Sequence, residues 1–326
     1  MCLPRAIACV PLAFMLAACG KTSPQQVLAT TFASFSAARY DCIDWQGRKR
    51  CVYTIPPDTA PKGLVIALHP AFTSVEMTEK ISHIGELAAH RGYAVVFPEG
   101  IDEQWNDSRV MTKVKTYNLN IDDVGFINAI TVRAQKEFSI TAANTTLAGM
   151  SNGGMMALRL SCQSEHYGHI ATVVANLPVG LRTHCTARPK STYLVFGGDD
   201  DIVKNKGGAL ADSGVASEWG EVESAKATQN FFVTRNRCRT TPNTNILADA
   251  EIDDTKAVID RYRGCLQPLT IVNVEGMGHT WPGESSRLFA WLSMRGAVSK
   301  QFNAGEAMLK FMGAQKNRPP KTERPN

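Results

Sequence analysis

Charged and aromatic side chains are both sparse in this chain of 326 residues. Charged residues make up 20% and aromatic residues 8%. The low charge together with 44% hydrophobic residues excludes a disordered, charge-rich chain. The net charge is only +5, and the segment from Lys316 to Asn326 holds four cations and one acid. The rest of the chain is therefore nearly neutral, and we expect no nucleic-acid partner.

Long apolar runs, internal repeats and metal-binding cysteine patterns are also missing. No run of 18 consecutive apolar residues occurs, so we expect no membrane-spanning helix. No CxxC motif occurs, and we predict neither a metal site nor an organic cofactor. Nothing in the sequence indicates an obligate protein partner. The length fits one large α/β domain.

The first residues resemble a bacterial lipoprotein signal. Arg5 precedes a short apolar segment, and a Leu-Ala-Ala-Cys motif ends at Cys19. We therefore expect cleavage before Cys19 and lipid attachment to it, which would anchor the protein in the membrane of the cell envelope. Gly20 favours the outer membrane. An ordinary secreted or periplasmic protein is the alternative.

These features predict four segments. Residues 1–18 form the signal peptide, and residues 19–38 form the lipid anchor and tether. Residues 39–313 form one catalytic domain, and residues 314–326 form a disordered basic tail.

Nine cysteines divide into three groups. Two leave with the signal, Cys19 carries lipid, and six remain in the domain. An even number in an oxidising compartment indicates disulfides, and short loops favour sequential pairing among the fifteen possibilities. The predicted pairs are Cys42–Cys51, Cys162–Cys185 and Cys238–Cys265.

Strand-like and helix-like segments alternate through the domain. Apolar spacing predicts helices over Met77–Arg91 and Asp122–Phe138. Short apolar runs predict strands over Thr145–Ala148, Tyr193–Phe196 and Leu269–Val274. Such alternation is typical of an α/β fold with a mainly parallel central sheet and helices on both faces.

The motif Gly-Met-Ser-Asn-Gly around Ser151 follows a predicted strand and opens a predicted helix. This context is that of a nucleophile elbow, in which a tight turn lifts a serine hydroxyl above the sheet. Glycines are needed beside such a turn because bulky side chains would collide. The helix N-terminus presents amides, including that of Asn152, to a developing oxyanion.

A serine nucleophile needs a histidine base that is held by a carboxylate. Asp199, Asp200 and Asp201 follow the strand Tyr193–Phe196, and His279 lies in a glycine-rich loop after Leu269–Val274. This order of nucleophile, acid and base suits a hydrolase sheet. We favour Asp200 as the acid, with Asp199 and Asp201 as alternatives.

Several motifs together resemble the polyhydroxybutyrate depolymerase and feruloyl esterase-like branch of the α/β-hydrolases, including secreted lipoprotein esterases. The similarity spans residues from about 40 to 312. It implies the α/β-hydrolase fold, Ser151 as nucleophile, His279 as base, Asp200 as acid, and the pairs Cys162–Cys185 and Cys238–Cys265. The matching motifs are Leu68-His69, Phe97-Pro98-Glu99-Gly100, Trp105-Asn106-Asp107, Asp122-Asp123-Val124-Gly125-Phe126, Gly149-Met150-Ser151-Asn152-Gly153-Gly154 and Gly278-His279-Thr280-Trp281-Pro282-Gly283.

Two departures from this family concern the substrate side. The family has His-Gly after the first core strand, whereas here Pro70 follows His69 and has no N–H to donate. We therefore expect the second oxyanion donor to be Ala71, with Phe72 as the alternative. The loop after Asp200 also lacks the Pro-Tyr of the family, which weakens transfer of a substrate by analogy.

Four residues are candidates for substrate binding: Phe72, Trp105, Met150 and Trp281. The two tryptophans lie beside predicted site residues and suit an aromatic cleft, although packing within a loop explains them equally well.

The sequence thus predicts a serine esterase that hydrolyses carboxylic esters through an acyl-enzyme. Polyhydroxyalkanoates, feruloyl or acetyl esters of polysaccharides, and small esters are all candidate substrates. One alternative is a non-catalytic ligand-binding surface lipoprotein with a hydrolase fold, which Pro70 favours. The other is a serine peptidase of the prolyl-oligopeptidase kind, although no propeller repeat is present.

Overall fold

The computed structural model describes residues 38–210, 216–247, 253–283 and 296–315. The predicted signal peptide, Cys19, the tether up to residue 37 and the tail from residue 316 lie outside the described residues. The twelve strands within these ranges are β1 (Arg39–Trp45), β2 (Arg48–Ile55), β3 (Gly63–Leu68), β4 (Tyr93–Pro98), β5 (Thr145–Met150), β6 (His169–Val173), β7 (Ser191–Gly197), β8 (Gly208–Ala209), β9 (Glu221–Val222), β10 (Asn243–Ile246), β11 (Lys256–Arg261) and β12 (Leu269–Glu275).

Eight α-helices lie in the described part of the chain. They are α1 (Val75–Ser82), α2 (Ile84–His90), α3 (Lys115–Asn118), α4 (Asp123–Phe138), α5 (Ser151–Gln163), α6 (Ala216–Trp219), α7 (Ala225–Arg235) and α8 (Ala304–Gln315). Short 3-10 turns cover Ala142–Asn144 and Leu181–His184.

Ten strands form one sheet in the order β1-β2-β4-β3-β5-β6-β7-β12-β11-β10. The six strands from β4 to β12 in this order pair in parallel. Antiparallel pairs extend the sheet at both ends. The predicted mainly parallel sheet is confirmed, and the antiparallel ends are additions that the sequence pattern did not indicate.

Helices cover both faces of the sheet, as predicted. On β3, Leu64 and Ile66 belong to one buried cluster with Phe126 of α4. The intervening Val65 belongs to another cluster with Leu309 of α8. Because side chains alternate between the faces of a strand, a run that is apolar at every position requires cover on both sides.

The helix predicted over Met77–Arg91 is wrong as one element, because α1 and α2 are separate helices that meet at His83. His83 has a left-handed φ of 49°. The carboxylate of Glu79 is buried here and accepts hydrogen bonds from the amides of Gly85 (2.6 Å) and Glu86 (2.9 Å). A side-chain anion thus satisfies the first amides of α2 and stabilises a second helix start.

All three predicted disulfides are present: Cys42–Cys51, Cys162–Cys185 and Cys238–Cys265. Disulfides of this number indicate a protein that matures outside the cytoplasm. Among the described residues, no helix combines the length and apolar character needed to cross a bilayer.

Candidate active site

Ser151 lies at the junction between β5 and α5, where its φ is +53°. A left-handed φ is uncommon for a residue other than glycine and marks the tight turn that the motif predicts. The strand ends at Met150 and the helix begins at Ser151 itself. The hydroxyl-bearing residue is therefore the corner of a strand–turn–helix unit.

Close backbone approaches explain the glycines of this corner. A Cβ on Gly149 would lie 2.5 Å from the carbonyl carbon and oxygen of Gly153, and one on Gly153 would lie 2.3 Å from the carbonyl oxygen of Leu68. Contacts this short are not tolerated by real Cβ atoms. The start of α5 is thus packed directly against the end of β3, where the next part of the site begins.

Asp200 and His279 meet at the carboxyl ends of β7 and β12, which are neighbours in the sheet. Nδ1 of His279 lies 2.8 Å from Oδ2 of Asp200, and both residues are buried, at 6% and 5% exposure. The other carboxylate oxygen of Asp200 accepts from the amides of Ile202 (2.9 Å) and Val203 (2.8 Å). We assign the proton of the imidazole to Nδ1, because the carboxylate can only accept.

The loop that carries His279 packs beside the corner that carries Ser151. Met150, which precedes the serine, belongs to one buried cluster with Met277 and Trp281, which flank the histidine. Met150 and Trp281 also line the same small cavity. The structure thus brings together the neighbourhoods of the predicted nucleophile and base at one edge of the sheet.

The turn from His69 to Phe72 follows β3 and is fixed by hydrogen bonds. Nε2 of His69 accepts from the amide of Gly100 (2.9 Å), while Nδ1 lies 2.8 Å from the carbonyl oxygen of Pro70. Burial lowers the pKa of His69 to about 4, despite the opposing effect of the Pro70 carbonyl. His69 is therefore neutral near pH 7, and its single ring proton lies on Nδ1, where it can be donated to the Pro70 carbonyl and help to shape the turn.

The amides of this turn differ in their availability. The N–H of Phe72 donates to the carbonyl oxygen of Glu103 at 3.1 Å, so the alternative of Phe72 as oxyanion donor is disfavoured. Within the described residues, the amide of Ala71 has no such acceptor. Ala71 is the better candidate of the two.

Trp105 does not lie on the wall of a cleft, and its expected role in substrate binding needs correction. Its side chain is fully buried, at 0% exposure. The indole N–H donates to the carbonyl oxygen of His69 at 2.9 Å, and the indole contacts the His69 ring with centroids 4.7 Å apart and planes tilted by 37°. Trp105 therefore supports the turn from behind, where substrate cannot reach it.

The side chain of Asn152 makes a second link between this turn and the start of α5. Its Oδ1 accepts from the amide of Trp105 (2.9 Å), and its Nδ2 donates to the carbonyl of Trp105 (3.1 Å) and to Oδ2 of Asp107 (2.6 Å). Sequence reasoning assigned only the backbone amide of Asn152. The side chain holds the Trp105–Asp107 loop beside the serine.

Two buried ion pairs extend this network. Asp107 pairs with Arg109 at 2.6 Å, and Arg109 Nη1 donates to the carbonyl oxygen of Trp219 at 2.8 Å. Asp123 pairs with Arg50 at 2.7 Å and also accepts from the amide of Asn106 at 2.7 Å. Sequence reasoning missed both pairs, because the two arginine partners lie outside the motifs that contain Asp107 and Asp123.

The remaining predicted substrate-binding residues differ in their exposure to solvent. Met150 and Trp281 are buried and line an apolar cavity that Pro70 also borders. Phe72 is 63% exposed and does not line this cavity. Among the described residues, no group of three or more His, Cys, Asp or Glu side chains could hold a metal ion.

Comparison with known proteins places this geometry in context. No protein-family model matches the chain. A relative from Nocardia uniformis subsp. tsuyamanensis, described as "Putative esterase NocK", is 25% identical over 267 residues, which cover 77% of this chain and 75% of the relative. The native structure of sOPH is 15% identical, with a TM-score of 0.50 over 79% of this chain and 86% of that chain. The chain has the α/β-hydrolase fold.

A second structural neighbour is an acetyl xylan esterase from Aspergillus awamori, at 13% identity and a TM-score of 0.49. The matched segments cover 74% of this chain and 94% of that chain. In the α/β-hydrolase fold, the nucleophile follows a central strand, and the acid and base follow later strands. Ser151, Asp200 and His279 occupy these places after β5, β7 and β12.

Proposed function

We propose that this α/β-hydrolase is a serine esterase that cleaves carboxylic esters through a triad of Ser151, His279 and Asp200. The observation that carries the proposal is the 2.8 Å hydrogen bond between His279 and Asp200 at the same sheet edge as the strained Ser151 corner. The likeness to NocK supports ester hydrolysis as the reaction class.

The proposed reaction follows from the protonation states. Nδ1 of His279 donates to Asp200, so Nε2 is free to accept the proton of the Ser151 hydroxyl. The serine oxygen attacks the ester carbonyl, and the resulting imidazolium returns its proton to the leaving alcohol. Water, deprotonated by His279, then attacks the acyl-enzyme and releases the carboxylic acid and free Ser151.

Charge that develops on the carbonyl oxygen needs donors that are in place before reaction. We assign this role to the amides of Asn152, at the start of α5, and Ala71, in the turn after β3. Hydrogen bonds of His69, Trp105 and the Asn152 side chain hold the two segments against each other. Pro70 supplies no donor, and the neighbouring Ala71 replaces it.

The sequence resemblance further supports a place in the polyhydroxybutyrate depolymerase and feruloyl esterase-like branch, with substrates that include polymeric, feruloyl, acetyl or small esters.

We also propose that Cys19 is lipidated and holds the enzyme in the bacterial envelope. A Cys19→Ser variant is expected to move from the membrane fraction to the soluble fraction. Equal membrane association of both proteins would contradict the anchor.

The central test replaces Ser151 by Ala and follows the hydrolysis of p-nitrophenyl acetate. We expect activity to fall at least about a thousandfold, because the nucleophile is lost while the fold remains. Ser161→Ala is the matched control, since among the described residues its hydroxyl donates to the carbonyl of Leu158 in the same helix and has no partner outside it. Undiminished hydrolysis of p-nitrophenyl acetate by the Ser151→Ala variant would contradict the proposal.

Pro70 favours one competing function, a surface lipoprotein that binds ligand without catalysis. The two functions differ in the reactivity of Ser151 towards a fluorophosphonate probe. An assembled triad activates the serine, so we expect labelling of the wild type and no labelling of Ser151→Ala. An unlabelled wild type would favour the binding protein.

A further inference from the structure

Phe72 combines two features that are unusual for a large apolar residue. Its side chain is 63% exposed, and its φ is +59°. A bulky side chain in the left-handed region is strained, and such residues concentrate at binding and catalytic sites. The hydrogen bond from its amide to Glu103 helps to hold this conformation.

The ring of Phe72 meets Trp219, a residue that the sequence did not single out. The ring centroids lie 5.5 Å apart at an interplanar angle of 73°, an edge-to-face contact. Trp219 is only half-buried, so part of the pair faces solvent. An edge-to-face pair can accept a third aromatic ring by the same quadrupole attraction that joins the first two.

A buried network fixes Trp219 relative to the catalytic corner. The carbonyl of Trp219 accepts a hydrogen bond from Arg109, and Arg109 pairs with Asp107. Asp107 also accepts a hydrogen bond from the side chain of Asn152. Asn152 directly follows Ser151. The position of the aromatic pair is thus coupled to the site by rigid, charge-assisted hydrogen bonds rather than by a free surface loop.

We propose that Phe72 and Trp219 form a specificity subsite for an uncharged aryl ring of the ester substrate, a proposal that rests on the esterase function above. The acid next to Trp219 is neutralised, because Glu218 pairs with Lys113 at 3.7 Å. A neutral ring therefore suits it better than an ionic group. The subsite is distinct from the apolar cavity that Pro70, Met150 and Trp281 line, because neither Phe72 nor Trp219 belongs to its lining.

The test compares aryl and alkyl esters in matched pairs. Methyl hydrocinnamate against methyl butanoate places the ring in the acid, and benzyl acetate against ethyl acetate places it in the alcohol. In Phe72→Leu and Trp219→Leu, we expect kcat/KM for one aryl ester to fall about tenfold, mainly through KM, with alkyl esters changed less than twofold. Whichever aryl ester responds identifies the part of the substrate that carries the ring.

Two control variants distinguish the loss of an aromatic ring from a change in side-chain size and from a general effect on folding. Phe72→Tyr keeps the ring and should retain wild-type selectivity, and Val132→Ala removes a 46% exposed apolar side chain from α4. Equal losses for aryl and alkyl esters, or a larger loss for acetylated xylose, would overturn the aryl subsite while leaving the esterase function intact.

Binding of benzylacetone, an unreactive ketone analogue of methyl hydrocinnamate, gives a readout that needs no turnover. We expect its Kd to rise about tenfold in both leucine variants and to stay unchanged in Ser151→Ala. An unchanged Kd in the leucine variants would overturn the subsite. Loss of turnover in Ser151→Ala tests the esterase function separately.

Discussion

Nδ2 of Asn152 donates to Oδ2 of Asp107 across 2.6 Å, beside the strained corner at Ser151. This contact joins a residue of the proposed oxyanion hole to a buried carboxylate that belongs to a different loop. The backbone of Asn152 is assigned to catalysis, and its side chain keeps that backbone in place.

Asn152→Ala should therefore retain the amide but lose its support. We expect the free energy of unfolding to fall by about 1–3 kcal/mol, because buried polar groups of Trp105 and Asp107 lose partners. Asn152→Asp should be worse at pH 7, since it sets a second carboxylate against Asp107. Urea denaturation measures both, with the exposed Asn245→Ala as control. Equal stability of the two Asn152 variants would show that the contact is not as described.

Asp200 is the aspartate that contacts His279, so the three neighbouring acids should differ sharply in kinetic effect. Asp200→Asn is expected to lower kcat by about a thousandfold to ten-thousandfold, because an amide favours the wrong imidazole tautomer. Asp199 is exposed, and Asp199→Asn should change kcat less than about threefold. Steady-state kinetics on p-nitrophenyl acetate test this order, and a reversed order would reassign the acid.

Gly153 should be intolerant of even one methyl group. An alanine Cβ would lie 2.3 Å from the carbonyl oxygen of Leu68 and 2.5 Å from that of His69, so backbone must move. We expect Gly153→Ala to destabilise the protein by about 2–4 kcal/mol and to lower activity. Gly313→Ala is the opposite case, because the nearest atom lies 3.8 Å away, and helix propensity predicts a gain of about 0.5–1 kcal/mol. Thermal unfolding of Gly153→Ala and Gly313→Ala tests this difference. Similar changes in the unfolding temperature of both variants would refute the packing argument.

Acid should destabilise the fold through buried histidines. Burial lowers the pKa of His169 to about 4, whereas an unfolded histidine titrates near 6.5. Between these values the unfolded chain binds a proton that the folded chain does not, so the free energy of unfolding decreases as pH falls from about 6.5 to 4. His69 contributes with the same sign.

The variant His169→Asn isolates this effect. Its stability relative to wild type should improve by about 2–3 kcal/mol between pH 7 and pH 4, whatever the offset at neutral pH. Urea midpoints across this range provide the measurement. A constant difference between the two proteins would mean that His169 titrates normally in the fold.

The features of this molecule that the sequence predicts are those encoded by short local motifs. The corner at Ser151 depends on five consecutive residues and a strand–helix transition, so the sequence contains the whole signal. The Asp200 and His279 loops were found because each follows an apolar strand. The choice among three adjacent acids was open, because only tertiary geometry selects which carboxylate faces the imidazole.

Long-range partners account for what the sequence did not reveal. The break at His83 depends on the Glu79 side chain capping a helix six residues ahead, against a helical pattern that continues across it. The strand Asn243–Ile246 is polar and exposed, so it lacks the apolar run by which strands are recognised. Trp105 was expected in a substrate cleft but is fully buried, because the residue type alone does not reveal burial.

The connectivity of the disulfides has a consequence for biogenesis. The bonded cysteines are 9, 23 and 27 residues apart, and each pair consists of consecutive cysteines of the domain. During export from the N-terminus, every first cysteine therefore meets its native partner before any other new thiol emerges. A thiol oxidase that acts on the chain in order of emergence would make the native set directly, without an isomerase to reshuffle it.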